Sequence, residues 1–499
     1  MSDLRQLVTH ASHYLAGRAG LMMLGFLSFP VLTRILPVAQ YGELSLLLKI
    51  GLLWTVLSKC GLQNAALRFF PEQSKLSPEN KRACASTLIV SSVLLALTCA
   101  GLGFALVRAH VINLGREITD LLPLLVSLVA VRAIQPVFSG LLRAEKRTWL
   151  FNICELSGKS LGIVCSVGAL SLIAIDLHYF LAGLVLAEGA VVAAVAIWFH
   201  NAGLFSFTSF QPRFAMNALG FSVPLIAYEL TSVVLDSGDR ILIGRYLGFG
   251  QLGLYSAAYA IATYAEEALM TPVNMALFPA YMKIWVEQGE MATARFLSQA
   301  LDMFLLGCGM VALLVYVGAD DLVSILASKQ FAAAHSLLPV LVCGLLVYAL
   351  HIFFNAPLLI HKKSIVLTCV TTVCCVANLA MNVLLLPRIG IMGAALATLL
   401  SYILLVTGLA VVSRRYLRFR LPVNTFLSCI ALVTVIQAAL RLIAIPSAWL
   451  DLLIKAPIAI CLYSAGIALL RPELRRRVLM NRQPRISKSD TLAAAEESR

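Results

Sequence analysis

Apolar residues run along this chain in fourteen long stretches divided by short polar gaps: 14–37, 40–60, 83–108, 119–142, 150–174, 177–199, 216–243, 251–275, 293–317, 335–360, 364–386, 390–413, 423–445 and 450–470. A bilayer core takes about 20 mostly apolar residues per helix. Each stretch therefore predicts one membrane-crossing helix, here spans 1 to 14. The breaks at 174–177, 387–390 and 446–450 are so short that their neighbours are expected to be antiparallel hairpins. The longest gaps, 61–82 and 276–292, have room for short interfacial helices but not for a catalytic domain.

Part of the pattern occurs twice. Arg34, Leu36, Gln40, Gly42 and Ser45 recur in register as Arg245, Leu247, Gln251, Gly253 and Ser256, 211 residues later. A weaker echo pairs Leu141-Leu142 and Lys146 with Leu358-Leu359 and Lys362. Both echoes are displaced by six spans. An even displacement makes the repeat parallel, with its pseudo-axis along the membrane normal. The expected fold is all-α and integral to the membrane, with about 14 transmembrane helices: two parallel-repeat six-helix lobes plus two C-terminal helices. The boundaries expected are 1–215 for the N-lobe, 216–422 for the C-lobe, 423–470 for spans 13 and 14, and 471–499 for a basic, disordered cytoplasmic tail.

Composition agrees. The 499 residues are 60% hydrophobic and 13% charged, with mean hydropathy +0.88, far from a soluble domain. The net charge of +14 reads as topology rather than nucleic-acid binding. Lys and Arg crowd into alternate gaps, at 68–82, 143–147, 213, 283–295, 362–363 and 414–420, and after 471. The other gaps hold only Arg108, Arg116, Arg240, Arg245, Lys329 and Arg388. By the positive-inside rule both termini are expected in the cytoplasm. The first residues show no short apolar core with a small-residue cleavage site, so the N-terminus is expected to be retained. The 12 cysteines lie in or beside apolar stretches without metal-ligand spacing, as small hydrophobes do. Gly158-Lys159-Ser160 imitates the end of a phosphate-binding loop, but position 153 is Ile where that loop needs Gly, and no strand precedes it. Nothing here points to an enzyme, and no metal site is expected.

Charge at bilayer depth is costly unless it faces a cavity or a partner. The first half carries Arg18, Arg34, Lys49, Lys59, Arg132 and Lys159 against Glu43, Glu155 and Glu188. Lys49, Arg132 and Lys159 lie about 12–20 Å from either membrane face, too deep to reach water easily. Such cations suit a phosphate or pyrophosphate, which arginine holds bidentately and lysine as a point charge. The alternative is internal pairing, for example Glu155 with Lys159 at i, i+4. Arg18 reads equally as a cavity residue or an interfacial anchor, and Arg34 and Lys59 as anchors or loop braces. The second half is acidic: Glu229, Asp236, Asp239, Glu266, Glu267 and Asp302 outnumber Arg240. Asp239 and Arg240 are adjacent and expected to point apart. Asp239, Asp236, Glu229 and Glu266 are candidates for coupling to a proton or sodium gradient, the one cofactor-like requirement expected. The alternative is structural pairing with Arg240, Arg245 or an N-lobe cation. Prolines inside spans, among them Pro30, Pro136, Pro224, Pro272, Pro357 and Pro457, permit bending.

Three stretches carry a family resemblance: Thr33 to Pro37 with Tyr41-Gly42 and Gly61 to Phe69; Asp239 to Gly244 through Gly253 to Ala258; and Asn382 to Pro387 with Gly390 through Thr398. With the repeat and the basic first half, the chain resembles the polysaccharide (Wzx-like) flippases of the multidrug/oligosaccharidyl-lipid/polysaccharide exporter superfamily. The resemblance covers nearly the whole chain. It implies an alternating-access flippase in the bacterial inner membrane, moving undecaprenyl-diphosphate-linked oligosaccharide for surface polysaccharide. Its expected partners are that glycan and membrane lipids, with room for other polysaccharide-assembly proteins. It implies a cationic cavity like that of Arg132, Lys49, Lys159 and Arg18 in kind. The runner-up is a multidrug or organic-cation antiporter of the same architecture, which should place acids rather than cations in its cavity. A membrane polymerase or glycosyltransferase should display a sizeable extramembrane loop, and no gap is long enough.

Overall fold

The computed structural model describes residues 2–110, 115–443, 445 and 447–470, with side chains from Gly17 onward except those of Arg18, Arg116 and Glu117. The tail expected at 471–499 lies outside the described residues. The helices are α1 (Ser2–Ile35), α2 (Val38–Ser58), α3 (Leu62–Ser74), α4 (Pro78–Arg108), α5 (Arg116–Asp120), α6 (Leu122–Ala144), α7 (Thr148–Leu172), α8 (Leu177–Asn201), α9 (Pro212–Leu326), α10 (Leu338–Ala349), α11 (His351–Ile360), α12 (Ser364–Ile389), α13 (Ile391–Ser413), α14 (Val423–Arg441) and α15 (Ala448–Leu470). The short helix expected in the 61–82 gap is α3. All twelve cysteines are free thiols.

The helical run of α9 is 115 residues, about 170 Å if straight. It is not straight. Gly248 and Gly289 have φ of 79° and 77°, a left-handed conformation that ends a right-handed helix and that glycine adopts freely. The Tyr255 hydroxyl donates to Asp239, although sixteen helical residues would separate them by about 24 Å. α9 is therefore three passes: α9a (212–247), α9b (249–288) and α9c (290–326). Ten other segments, taking α10 and α11 together, are long and apolar enough to cross a membrane, and Ala19–Ile35 of α1 is a shorter apolar helix. With the three passes of α9 these make the fourteen expected. In the 276–292 gap no separate helix forms, because α9b continues until Gly289 interrupts it.

Helix ends follow local chemistry. Ser77 caps α4 by accepting from the Asn80 N–H at 3.1 Å, with Pro78 in the first turn. Asp176 caps α8 through the His178 N–H at 2.9 Å. That bond and the His178 ring hold its carboxyl below the usual carboxylate range. The weak echo of the repeat is a matched pair of C-caps. Lys146 and Lys362 both have left-handed φ, 60° and 57°. Each is followed by an N–H that reaches five residues back, Arg147 to Leu142 at 2.9 Å and Lys363 to Leu358 at 2.8 Å.

Alternate gaps meet. Lys81 pairs with Glu145, Ser206 N–H donates to Ser86 Oγ at 2.9 Å, and His361 packs on both Trp285 and Tyr416. These are the gaps rich in Lys and Arg. Among the remaining gaps, Arg34 donates to the Ile325 carbonyl at 2.8 Å and Gln330 to the Leu36 carbonyl at 3.0 Å. Arg34 is thus a loop brace, whereas its repeat mate Arg245 is exposed.

The chain divides into two compact units, Met1–Leu297 with Ala319–Phe419, and Ser298–Gly318 with Arg420–Arg499. In the first, Leu62, Phe70, Leu88, Phe138, Leu141 and Phe199 form a core where α3, α4, α6 and α8 meet. In the second, α14 and α15 pack on the 298–318 stretch of α9c through Leu313, Cys429, Ile436, Ala459 and Tyr463. The Tyr463 hydroxyl donates to the Leu306 carbonyl at 3.0 Å. Asp451 and Lys455, one turn apart on the buried face of α15, form an ion pair of 2.7 Å.

Candidate functional site

Three helices and one further pass enclose a polar cavity of about 490 Å³ in the first unit. From α6 come Gln135, Ser139 and Arg143, and from α7 come Asn152, Glu155 and Lys159; α1 adds Gly17 and Leu21, and α9b adds Met275. Spacings of three and four residues place each set on one helix face. The Ser139 hydroxyl donates to Glu155 at 2.6 Å. Arg143 donates Nε to the Ser139 carbonyl at 3.3 Å, and its guanidinium lies over the Phe151 ring at 5.4 Å. Lys159 is exposed to the cavity. It makes no hydrogen bond or ion pair among the described residues, and Glu155 turns to Ser139 instead of forming the i, i+4 pair. The wall thus offers two cations, one carboxylate and three neutral hydrogen-bonding side chains. The structure gathers Lys159 here from among the predicted cations. The side chain of Arg18 lies outside the described residues.

Arg132 and Lys49 stand elsewhere, each paired. Arg132 grips Glu188 of α8 with two bonds, Nε to Oε2 at 2.8 Å and Nη2 to Oε1 at 2.6 Å. Lys49 Nζ meets Asp236 Oδ2 of α9a at 3.0 Å. Two to three turns nearer the basic gaps, Lys59 pairs with Glu229, which also accepts from Gln63 at 3.4 Å. Both pairs join α2 to α9a, which run antiparallel.

Asp239 is enclosed. Tyr255 and Thr398 hydroxyls face its Oδ2, the Arg240 backbone N–H donates to Oδ1 at 2.7 Å, and Arg240 Nη1 lies 3.4 Å from the same oxygen. The expectation that adjacent Asp239 and Arg240 point apart is therefore corrected. The carboxylate folds back on its own chain and the long guanidinium curls to meet it, while lying 4.1 Å from the Tyr259 ring centre. Asn378, Asn382 and Ser401, all fully buried, form a hydrogen-bonded set of their own between α12 and α13. Two of the three family-like stretches thus converge on one polar knot, joined by Asp239, Tyr255 and Thr398.

Glu266 differs from the other acids. It is 8% exposed, makes no hydrogen bond or ion pair among the described residues, and lines a cavity of about 280 Å³ with Glu267, Thr271 and Asn274. Met275 borders both this cavity and the one holding Lys159. A search for charges finds Lys159 and Glu266. It misses Gln135, Ser139 and Asn152, which are legible only as polar stripes at helical spacing, and it assigns Arg143 to a loop. No group of three or more His, Cys, Asp or Glu side chains among the described residues is placed to hold a metal ion. Chemically, the wall is able to accept a polar, anionic group inside an apolar bundle.

Known proteins place this geometry. The polysaccharide biosynthesis protein family matches residues 8–285. The succinoglycan biosynthesis transport protein ExoT of Rhizobium meliloti (strain 1021) is 24% identical over 331 residues, 65% of this chain. The match spans 63% of that relative's own length. Among solved structures, the lipid II flippase MurJ in an inward closed conformation superposes with TM-score 0.75 at 14% identity, covering 94% of this chain and 99% of that one. An inward-facing multidrug resistance MATE family transporter gives 0.63 at 13% identity, over 79% and 94%. These likenesses establish the fold, an all-α polytopic membrane architecture.

Proposed function

The chain belongs to the polysaccharide biosynthesis protein family, and from this premise we propose that it is a flippase for undecaprenyl-diphosphate-linked oligosaccharide in the bacterial cytoplasmic membrane. The carrying observation is the cavity in which Lys159, unpaired among the described residues, stands beside Arg143, Gln135, Ser139 and Asn152. An anion entering there neutralises a cation that the protein leaves open, and the neutral side chains supply hydrogen bonds to sugar hydroxyls. The lipid tail stays in the bilayer, where it has no desolvation cost. Lobes 1–215 and 216–422 rock about the substrate, exposing it to one leaflet and then the other. Both termini are cytoplasmic, by the arginine-rich gaps.

Arg132 and Lys49 lie outside this cavity and form a second rank of cations, since each starts neutralised by Glu188 or Asp236. Of the four acids suited to ion coupling, Asp239, Asp236 and Glu229 are held by partners, which leaves Glu266 as the carboxylate whose protonation or sodium binding drives the cycle. Other polysaccharide-assembly proteins are the expected partners outside the membrane.

The test is a strain lacking the chromosomal copy, complemented with Lys159→Ala or the Lys159→Ala/Arg143→Ala double variant. Surface glycan should fall by about tenfold or more with protein level unchanged; wild-type glycan from the double variant refutes the site. The acidic cavity at Glu266 favours one second reading, an organic-cation antiporter. In the same strains that reading predicts lost resistance to cationic dyes and intact glycan.

A further inference from the structure

Lys49 and Asp236 meet at bilayer depth between α2 and α9a, helices from opposite copies of the repeat. Their side chains are 26% and 42% exposed. A charged pair at this depth does not face lipid tails, so the open side looks onto a watered crevice that an anion can enter. The two partners are unequally committed. Asp236 is the sole ion-pair partner of Lys49 among the described residues. Asp236 itself has several supports: its Oδ1 accepts from the Tyr259 hydroxyl at 2.8 Å, its Oδ2 from the Ser237 hydroxyl at 2.9 Å, and Arg240 donates to its backbone carbonyl at 2.7 Å.

We propose that Asp236 is an internal stand-in for the substrate's diphosphate, holding Lys49 while the carrier is empty and releasing it to the bound anion, which undoes the deeper of the two ion pairs that join α2 to α9a. This deepens the flippase reading and rests on it. When Lys49 leaves, Asp236 keeps two hydroxyl donors and the neighbouring guanidinium. When Asp236 leaves, Lys49 keeps no ion-pair partner among the described residues, and an unpaired ammonium at this depth is strongly disfavoured. The seam therefore loosens at this depth when another anion takes the lysine. A diphosphate does so, and a neutral glycolipid does not. Lys59 and Glu229 join the same two helices at the end of α2, where water is near; the other deep pairs lack the asymmetry, since Arg132 and Glu188 are joined by two bonds inside one repeat copy, and Asp239 and Arg240 sit on one helix, both buried. Opening made conditional on an anionic headgroup keeps the empty carrier from rocking and leaking.

The experiment measures binding of farnesyl diphosphate, with inorganic pyrophosphate in a parallel arm, to the purified full chain in nanodiscs. It compares wild type with Asp236→Asn, Asp236→Glu, Lys49→Gln and the Asp236→Asn/Lys49→Gln double variant. Asp236→Asn should bind farnesyl diphosphate about tenfold more tightly, because a competitor for the lysine is gone. Asp236→Glu should restore wild-type affinity. Lys49→Gln should weaken binding by about tenfold and make the Asp236 substitution silent. Inorganic pyrophosphate following the same order places the recognition in the diphosphate; an effect confined to the prenyl compound overturns the proposal. Unchanged or weaker binding by a well-folded Asp236→Asn overturns it while leaving the flippase reading intact. Failure of the wild type to bind either probe removes the flippase reading and this one with it. In case Asp236→Asn does not fold, hydrogen exchange of the wild type gives a second readout. Saturation with farnesyl diphosphate should raise exchange in α2 around Lys49, and unchanged or slower exchange there refutes the release.

Discussion

Gly42 of α2 and Gly253 of α9b, the matched glycines of the two repeat copies, lie directly against each other. A Cβ on Gly42 would fall 2.7 Å from the Gly253 nitrogen and 2.2 Å from the Phe249 carbonyl oxygen, and one on Gly253 would fall 2.0 Å from the Val38 carbonyl oxygen. The clash is reciprocal, as a two-fold relation between the copies requires. Two helices approach this closely only where neither bears a side chain.

This contact yields the first prediction. Gly42→Ala or Gly253→Ala should each destabilise the protein by about 1–3 kcal/mol through overpacking against rigid backbone, read as a lower melting temperature in detergent. Gly168→Ala is the control: nothing lies within 4 Å of a Cβ there, and a mid-helix alanine should stabilise by about 0.5–1 kcal/mol. Equal melting temperatures across the three variants would dismiss the close approach.

Arg132 and Glu188 yield the second. Glu188 is 6% exposed, so Arg132→Ala strands a buried carboxylate and should cost about 3–5 kcal/mol. Arg132→Ala/Glu188→Ala should be more stable than Arg132→Ala alone. A double-mutant cycle by thermal or denaturant unfolding measures the coupling, and additive effects would show that the pair is not intact in solution.

Glu266 yields the third. Glu266→Gln should bind farnesyl diphosphate as the wild type does but lose acceleration of glycolipid translocation by an imposed proton or sodium gradient in proteoliposomes. The corresponding Asp239→Asn should mainly lower the melting temperature, since Asp239 is enclosed by Tyr255, Thr398 and Arg240. Retained gradient response in Glu266→Gln would exclude it from coupling.

Sequence by itself determined the number of passes, the parallel repeat and the alternation of basic gaps, because each depends on patterns local to a segment: apolar length, a twelve-residue echo, loop charge. It also marked the residues able to carry chemistry, since a charge inside an apolar stretch stands out wherever its partner is. It left the pairing open. Glu155 turns across to Ser139 on α6, and Lys159 has no partner among the described residues; Lys49 is occupied because the chain returns Asp236 beside it from far along the sequence. Asp239 and Arg240 come together against their expected directions because burial favours any bend that satisfies a carboxylate. A cation in a membrane helix must find an anion, and one-dimensional spacing does not say which of several it meets. The tertiary structure made that choice, leaving Lys159 exposed to a cavity and setting Lys49, Lys59 and Arg132 against acids.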